Sequence, residues 1–302
     1  MPFHLPPISR RRFLVSSLAA GVGALSWREA GGEDRSGDAG RWVLLADSHV
    51  AADRDRVHRG VNMAANLARV VAVAAGLEPR PAGVVLDGDV AFQKGEPGDY
   101  RLVAELLKPL ARAEIPTHLT LGNHDQRENF REGLARGAAP LPLASRHVAV
   151  LETERANWFL LDSLDRTDGT PGELGTEQLG WLARALDARP GKPALVVAHH
   201  DPQWSSPPAK RTGLVDTEQL FEVLVKRKQV KVLFFGHTHQ WGRTWRDGIH
   251  LINLPPVAYL FNKEAPNGWV DLRLRDGGAV LTLHALDPKH RQDGETVELT
   301  WR

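Results

Sequence analysis

Five short clusters in this chain carry groups that bind cations or move protons. They are Asp47-Ser48-His49, Asp87-Gly88-Asp89, Gly122-Asn123-His124-Asp125, His199-His200 and Gly236-His237-Thr238-His239. Carboxylate, amide and imidazole donors without thiolate suit the borderline metals Mn, Fe, Co and Zn. Residues two apart in an extended or turning segment point the same way, so His237 and His239 can reach one metal pair. A carboxylate such as Asp89 can bridge two cations. Two metals about 3.5–4 Å apart clamp a phosphate and generate hydroxide from bound water near neutral pH.

Each cluster closes a short apolar run that reads as a buried strand: residues 41–46, 83–86, 115–121, 193–198 and 230–235. Helical spacing of apolar residues predicts helices over 54–77 and 99–113, the second kinked or split at Pro109. Strand, helix, strand, helix, strand implies a parallel sheet with right-handed crossovers. Its strand ends share one edge, so Asp47, His49, Asp89, Asn123 and His124 should converge, with Gly122 making a sharp turn.

The second half predicts a hairpin over 146–151 and 157–161, a Gly/Asp/Thr loop over 165–175, and helices over 176–186 (Thr176 as N-cap) and 216–226. Segments 243–246, 249–253, 269–274 and 280–286 read as an antiparallel meander. The alternation has two halves, each with its own sheet and helices.

The chain has 302 residues, no cysteine, 42% hydrophobic and 25% charged residues, which is an ordinary globular composition. Disulfides, thiolate nucleophiles and Cys-rich zinc sites are excluded. Ser9-Arg10-Arg11-Arg12-Phe13-Leu14 opens a short apolar, small-residue run, and Gly-rich residues 31–40 read as a linker. The Arg10-Arg11 pair before Phe13-Leu14 resembles a twin-arginine signal, which implies export by the Tat translocon to the periplasm or beyond. The alternative is retention by an uncleaved anchor. The expected division is signal and linker over 1–38 and one catalytic domain over 39–302, β-rich from about residue 242. Removing Arg10, Arg11, Arg12, Arg28 and Glu29 leaves a net charge of about −2. No nucleic-acid partner is therefore expected.

The five clusters, in this order and on this alternation from Trp42 to Trp245, resemble the calcineurin-like metallophosphoesterases, nearest their class III cyclic-nucleotide and glycerophosphodiester phosphodiesterase branch. The resemblance implies an α/β fold, a four-layer α/β/β/α sandwich of two mixed sheets flanked by helices. It implies two divalent or trivalent metal ions (Mn, Fe, Zn or Co). Asp47, His49 and His239 would hold the first, Asn123, His199 and His237 the second, and Asp89 would bridge them. His124 would contact the phosphate and protonate the leaving alkoxide, oriented by Asp125. The implied reaction is in-line attack by a metal-bridging hydroxide on a small-molecule phosphoester, a diester first and a monoester as the alternative. A non-catalytic metal-bound scaffold is the rival from another class.

One departure stands out. Where that branch often has His-His-Pro-Pro, this chain has His199-His200-Asp201-Pro202. The strand register favours His199 as ligand, with His200 lining the pocket. Asp201 reads as a turn cap facing solvent. Arg127 is a candidate for the phosphate or the substrate's alcohol, or else an ion-pair partner of Glu128 or Glu132. Trp204, Trp241 and Trp245 are divided between pocket lining and core packing, with core favoured.

Overall fold

The computed structural model describes residues 37–134 and 141–302. The segment read as an export signal lies, through residue 36, outside the described residues. Among them, no helix is long and apolar enough to cross a membrane.

Two six-stranded mixed sheets form the centre. In the first, β1 (Asp38–Ala46), β4 (Pro81–Asp87) and β5 (Thr117–Leu119) run parallel. β12 (Gly268–Arg275) pairs antiparallel with the far side of β1, then β13 (Gly278–Ala285) and β14 (Thr296–Thr300) follow antiparallel. In the second, β7 (Asn157–Leu160), β8 (Ala194–Val197), β9 (Val230–Phe235) and β11 (Ile249–Asn253) are parallel. β6 (Ala149–Glu152) and β10 (Gly242–Arg246) close its edges antiparallel.

Strand alternation explains the layers, because successive side chains face opposite sides. Trp42, Leu44 and Val85 from one sheet meet Trp158, Leu195, Val197 and Phe234 from the other. Val43, Leu45, Val84 and Leu86 face outward onto α1 (Met63–Ala75), α2 (Pro97–Leu106), α3 (Lys108–Arg112) and α4 (Arg127–Leu134). Phe159, Val196 and Leu233 face α5 (Gly175–Asp187) and α6 (Thr217–Val225). The result is the expected four-layer α/β/β/α sandwich.

Several local expectations need correction. The helix expected from residue 54 begins at Met63, because a small hairpin of β2 (Val57–His58) and β3 (Val61–Asn62) precedes it. Asn62 caps the helix by accepting the Ala65 N–H at 2.8 Å. The helix expected over 99–113 starts earlier, at Pro97, and its expected split is present, with Leu107 ending α2 and starting α3 just before Pro109. Thr176 is not an N-cap: Asp216, distant in sequence, accepts the Leu174 and Gly175 N–H groups instead. The C-terminal strands do not form one meander. β10 and β11 extend the second sheet, whereas β12, β13 and β14 return to the first.

Candidate metal centre

Parallel register sets the site. Ala46 lies beside Asp87, Leu86 beside Leu119, and Val197 beside Phe234, so the five clusters emerge on one edge of the sandwich. Hydrogen bonds fix the strand ends within and between the sheets. Val257 N–H donates to Ala46 at 2.9 Å, Gly236 N–H donates to His199 at 3.0 Å, and the Asp47 carboxylate accepts the His237 N–H. Glycine is required by close approach. A Cβ on Gly122 would sit 2.2 Å from Asp89 Oδ1, and one on Gly88 would sit 2.3 Å from the His199 ring.

The backbone is also strained at this edge. Asp47, His49, Asp89, His237 and His239 all have positive φ, between 43° and 66°. That region is disfavoured for residues other than glycine and clusters at functional sites.

Two three-residue groups meet here. Asp47, His49 and His239 bring one ligand atom each within 4.8 Å of the others, and so do Asp89, His199 and His237. A third combination, His49, Asp89 and His124, satisfies the same limit. Asp47 Oδ1 is 3.4 Å from His239 Nε2 and 3.8 Å from His199 Nε2, and Asp89 Oδ2 is 3.3 Å from His199 Nε2 and 3.6 Å from His49 Nε2. Each carboxylate therefore faces both groups. Asn123 lines the same pocket, of about 370 Å³, with His49, Asp89, His124, His237 and His239.

These donors fit a metal pair. His49 Nε2 and His239 Nε2 face each other at 3.0 Å. Asn123 Oδ1 is buried with no hydrogen-bond partner among the described residues, and His199 Nε2 has only its 3.3 Å approach to Asp89 Oδ2. Buried polar atoms are otherwise almost always paired. The outer nitrogens are fixed as in metal-binding histidines, which donate their second N–H to a carbonyl or carboxylate. His239 Nδ1–H donates to the Tyr259 carbonyl at 2.6 Å and His199 Nδ1–H to the Asp87 carbonyl at 3.2 Å. His200 differs. Ser163 Oγ accepts the His200 backbone N–H at 3.3 Å and lies 2.8 Å from its Nδ1, which ties the ring to Ser163. His200 is buried, belongs to none of the three-residue donor groups and does not line the pocket.

Electrostatics follow from burying these charges together. Burial alone would raise Asp89, but the charge and hydrogen bond of His199 outweigh it and hold its carboxyl well below the usual range. Asp47 is lowered in the same way by His239 and His199. Burial pushes the His49 imidazole down to about 3, against the pull of Asp89. Against the cost of its own burial, Asp89 and Asp47 raise the His199 imidazole well above its ordinary value, so here it carries the charge that balances the carboxylates, a role a bound cation would take over as His199 gave up its proton.

Three sequence expectations change. Asp125 does not orient His124. Its buried carboxylate accepts the N–H groups of Val90 (3.1 Å), Ala91 (3.1 Å) and Gly122 (2.9 Å) and the Tyr100 hydroxyl (3.1 Å). The His124 ring is held instead by the Gln93 carbonyl, 2.8 Å from Nδ1, and by Asp168. Arg127 does not line the pocket. It is clamped on buried Asp162 by two bonds of 2.8 and 2.9 Å, and Glu128 and Glu132 are not its partners. Asp201 is not a solvent-facing cap but lines the pocket, with Oδ2 3.0 Å from Gln203 Nε2.

The tryptophans are mostly elsewhere. Trp241 is core, Trp204 packs on Phe221, and Trp245 is exposed on edge strand β10. Thr170, Gln203, Thr212 and Phe261 line the pocket and were missed, as was Asp168. All lie in loops, where hydrophobic periodicity gives no signal.

Comparisons with known proteins agree with this geometry. The calcineurin-like phosphoesterase family model matches residues 40–241. The 3′,5′-cyclic adenosine monophosphate phosphodiesterase CpdA of Pseudomonas aeruginosa is 32% identical over 80% of this chain and 85% of that protein. A 3′,5′-cyclic-nucleotide phosphodiesterase of Nostoc is 28% identical over 80% of this chain and 86% of its own length. Among solved structures, a dimetal phosphatase from Danio rerio superposes with a TM-score of 0.66 at 17% identity, covering 88% of this chain and all of that one. That last likeness is one of fold.

Proposed function

The chain belongs to the calcineurin-like phosphoesterase family, as a metal-dependent phosphoester hydrolase, and from that premise we propose that it hydrolyses small organic phosphodiesters, 3′,5′-cyclic nucleotides among them. The observation that carries the proposal is the facing of Asp47 and Asp89 toward both histidine groups, with donor atoms left unpaired in a buried pocket. The phosphodiesterase relatives support the substrate class.

In this proposal Asp47, His49 and His239 hold one ion, Asn123, His199 and His237 hold the other, and Asp89 serves both. When bound, such ions polarise phosphoryl oxygens and lower the pKa of bound water. The protein's own residues do the rest. His124 sits at the pocket rim with Nδ1–H anchored on Gln93, which leaves Nε2 to deliver a proton to the departing alkoxide. The Asp89 carboxylate accepts the His124 backbone N–H at 2.8 Å, so proton donor and ligand share one frame.

The test is elemental analysis followed by a substrate panel with those metals restored. The proposal expects two metal ions per chain and faster turnover of bis(p-nitrophenyl) phosphate and cyclic AMP than of p-nitrophenyl phosphate. Faster turnover of the monoester would replace it with a phosphomonoesterase. No turnover of any ester by metal-loaded protein would favour the scaffold. The Arg10-Arg11 pattern supports export by the Tat route, and unchanged export of an R10K/R11K variant would refute it.

A further inference from the structure

The rim of the pocket carries an aromatic ring and a guanidinium that metal binding does not require. Phe261 lines the pocket alongside His49, His124 and His239, and its ring stacks on His239 with centroids 4.2 Å apart and planes 21° apart. The residue is nevertheless 56% exposed. His239 stacks on the ring and Arg59 lies over it at 5.2 Å, so the open part of Phe261 and the outer plane of the guanidinium meet the pocket mouth together.

The loop that presents Phe261 is tied down. Val257 and Ala258 donate their N–H groups to Ala46 and Asp47 at 2.9 and 3.0 Å, and the Tyr259 carbonyl takes the His239 Nδ1–H. Across from it stands the β2–β3 hairpin. Its two-residue turn is Arg59-Gly60, with φ of 49° and 80°, the left-handed pair of a type I′ turn. Arginine is disfavoured at such a position, yet here it brings its guanidinium 5.2 Å from the Phe261 centroid and 5.7 Å from that of Tyr259. His58 braces the hairpin edge-on against Tyr259 and Phe92, and Arg56 lies 4.4 Å over Phe92. Among the described residues no carboxylate pairs with Arg56 or Arg59.

We propose that Phe261 and Arg59 are specificity-determining residues that receive the planar group of the substrate, a nucleobase or an aryl ring, at the mouth of the metal pocket. The proposal rests on the phosphodiesterase reading. Aromatic rings and guanidinium planes both stack on bases, and neither rewards an aliphatic alcohol in the same way. The unpaired guanidinium adds attraction for an anionic ester. The site therefore selects aromatic over aliphatic phosphodiesters.

The test compares cyclic AMP with glycerophosphoethanolamine, an aliphatic diester, using metal-restored wild type, Phe261→Ala, Phe261→Leu, Phe261→Trp and Arg59→Ala, with metal content measured on each. Phe261→Ala is expected to lower kcat/KM for cyclic AMP about ten- to a hundredfold, mainly through KM. The ratio of cyclic AMP to aliphatic turnover should fall about tenfold or more. Phe261→Trp should restore the ratio, and Arg59→Ala should shift it the same way by about threefold to tenfold. The inhibition constant of 5′-AMP should rise while that of inorganic phosphate stays near wild type. Phe261 touches His239, so if Phe261→Ala loses metal, Phe261→Leu decides, since it keeps bulk without a π face. Equal losses on both diesters at full metal content, or no loss, would overturn the inference alone. Wild type inert on both diesters yet active on monoesters would remove the phosphodiesterase reading instead.

Discussion

The His124 ring is held from behind by Asp168, whose Oδ1 lies 3.3 Å from Nδ1. The Asp168 N–H donates to the Asn123 carbonyl at 2.6 Å, and Thr167 Oγ1 donates to the Asp125 carbonyl at 2.8 Å. The loop around Asp168 and the Asn123–Asp125 segment therefore move as one. His124→Ala is expected to cost about 10²–10³ in kcat for an ester with an alkoxide leaving group, and less for p-nitrophenolate, which leaves without a proton. Asp168→Ala should cost about tenfold with the same leaving-group bias, because the ring stays but loses its alignment. Steady-state kinetics on an alkyl and an aryl diester check this. Equal losses on both would rule out the acid role.

Asp125 and Asp162 are buried hubs, and removing their partnerships should appear as lost stability. Asp125→Ala strips the acceptor from three backbone N–H groups and the Tyr100 hydroxyl, an expected loss on the order of 4 kcal/mol. Arg127→Ala leaves the Asp162 charge buried with only the backbone donors of His147 and Leu164, at about 3 kcal/mol. Urea unfolding reads both. A raised KM for Arg127→Ala at full stability would return that residue to the substrate.

Much of the site was legible because its residues end apolar runs. Asp47, Asp89, Asn123, His199 and His237 follow β1, β4, β5, β8 and β9 closely, and parallel register carries them to one edge. What stayed hidden was partnership across sequence. The family resemblance implies that Asp125 orients its neighbour His124, yet its side chain turns inward to the strand ends while Asp168 reaches the ring from a loop. Val57 and Val61 fit a helical period, but Arg59-Gly60 between them makes a turn. Alternation identified β11 and β12 as strands without saying that they belong to different sheets.

Metal removal should lower both activity and stability. A metal present at a hundred times its Kd stabilises the fold by about 2.7 kcal/mol, so chelation should lower Tm by several degrees and abolish turnover. Asp89→Asn should lose both ions. His199→Asn should lose one, whereas His200→Asn should keep both, because His200 belongs to neither donor group and is tied to Ser163. Elemental analysis of the purified variants decides, and a His200→Asn protein depleted of one ion would reverse the assignment of these neighbours.

His147 should make the fold acid-sensitive. It is buried against Phe130, ring centroids 4.8 Å apart, and burial lowers its pKa to about 4, with Asp162 opposing. The unfolded chain takes up a proton near pH 6.5, and the native state resists until about 4. The contribution of His147 is therefore whole above pH 6.5 and falls by about 3 kcal/mol as pH drops toward 4, with no further change from this group below that. Urea unfolding at pH 8 and pH 5, at matched metal content, should show a smaller difference in His147→Gln than in wild type. Identical slopes would mean that the imidazole stays solvated.

The pairing of β1 with β12, Trp42 beside Leu272, has a consequence in time. The strand that leads into Asp47 is made long before β12, so one of its two edges finds its partner only after residue 275 has been made. Loop closure across more than two hundred residues is slow, and until it happens β1 presents an open edge. Synthesis must therefore pass β12 before the first sheet is whole beside the pocket, and a truncation between His239 and β12 would release a chain with every metal-binding cluster present and no finished sheet to hold them.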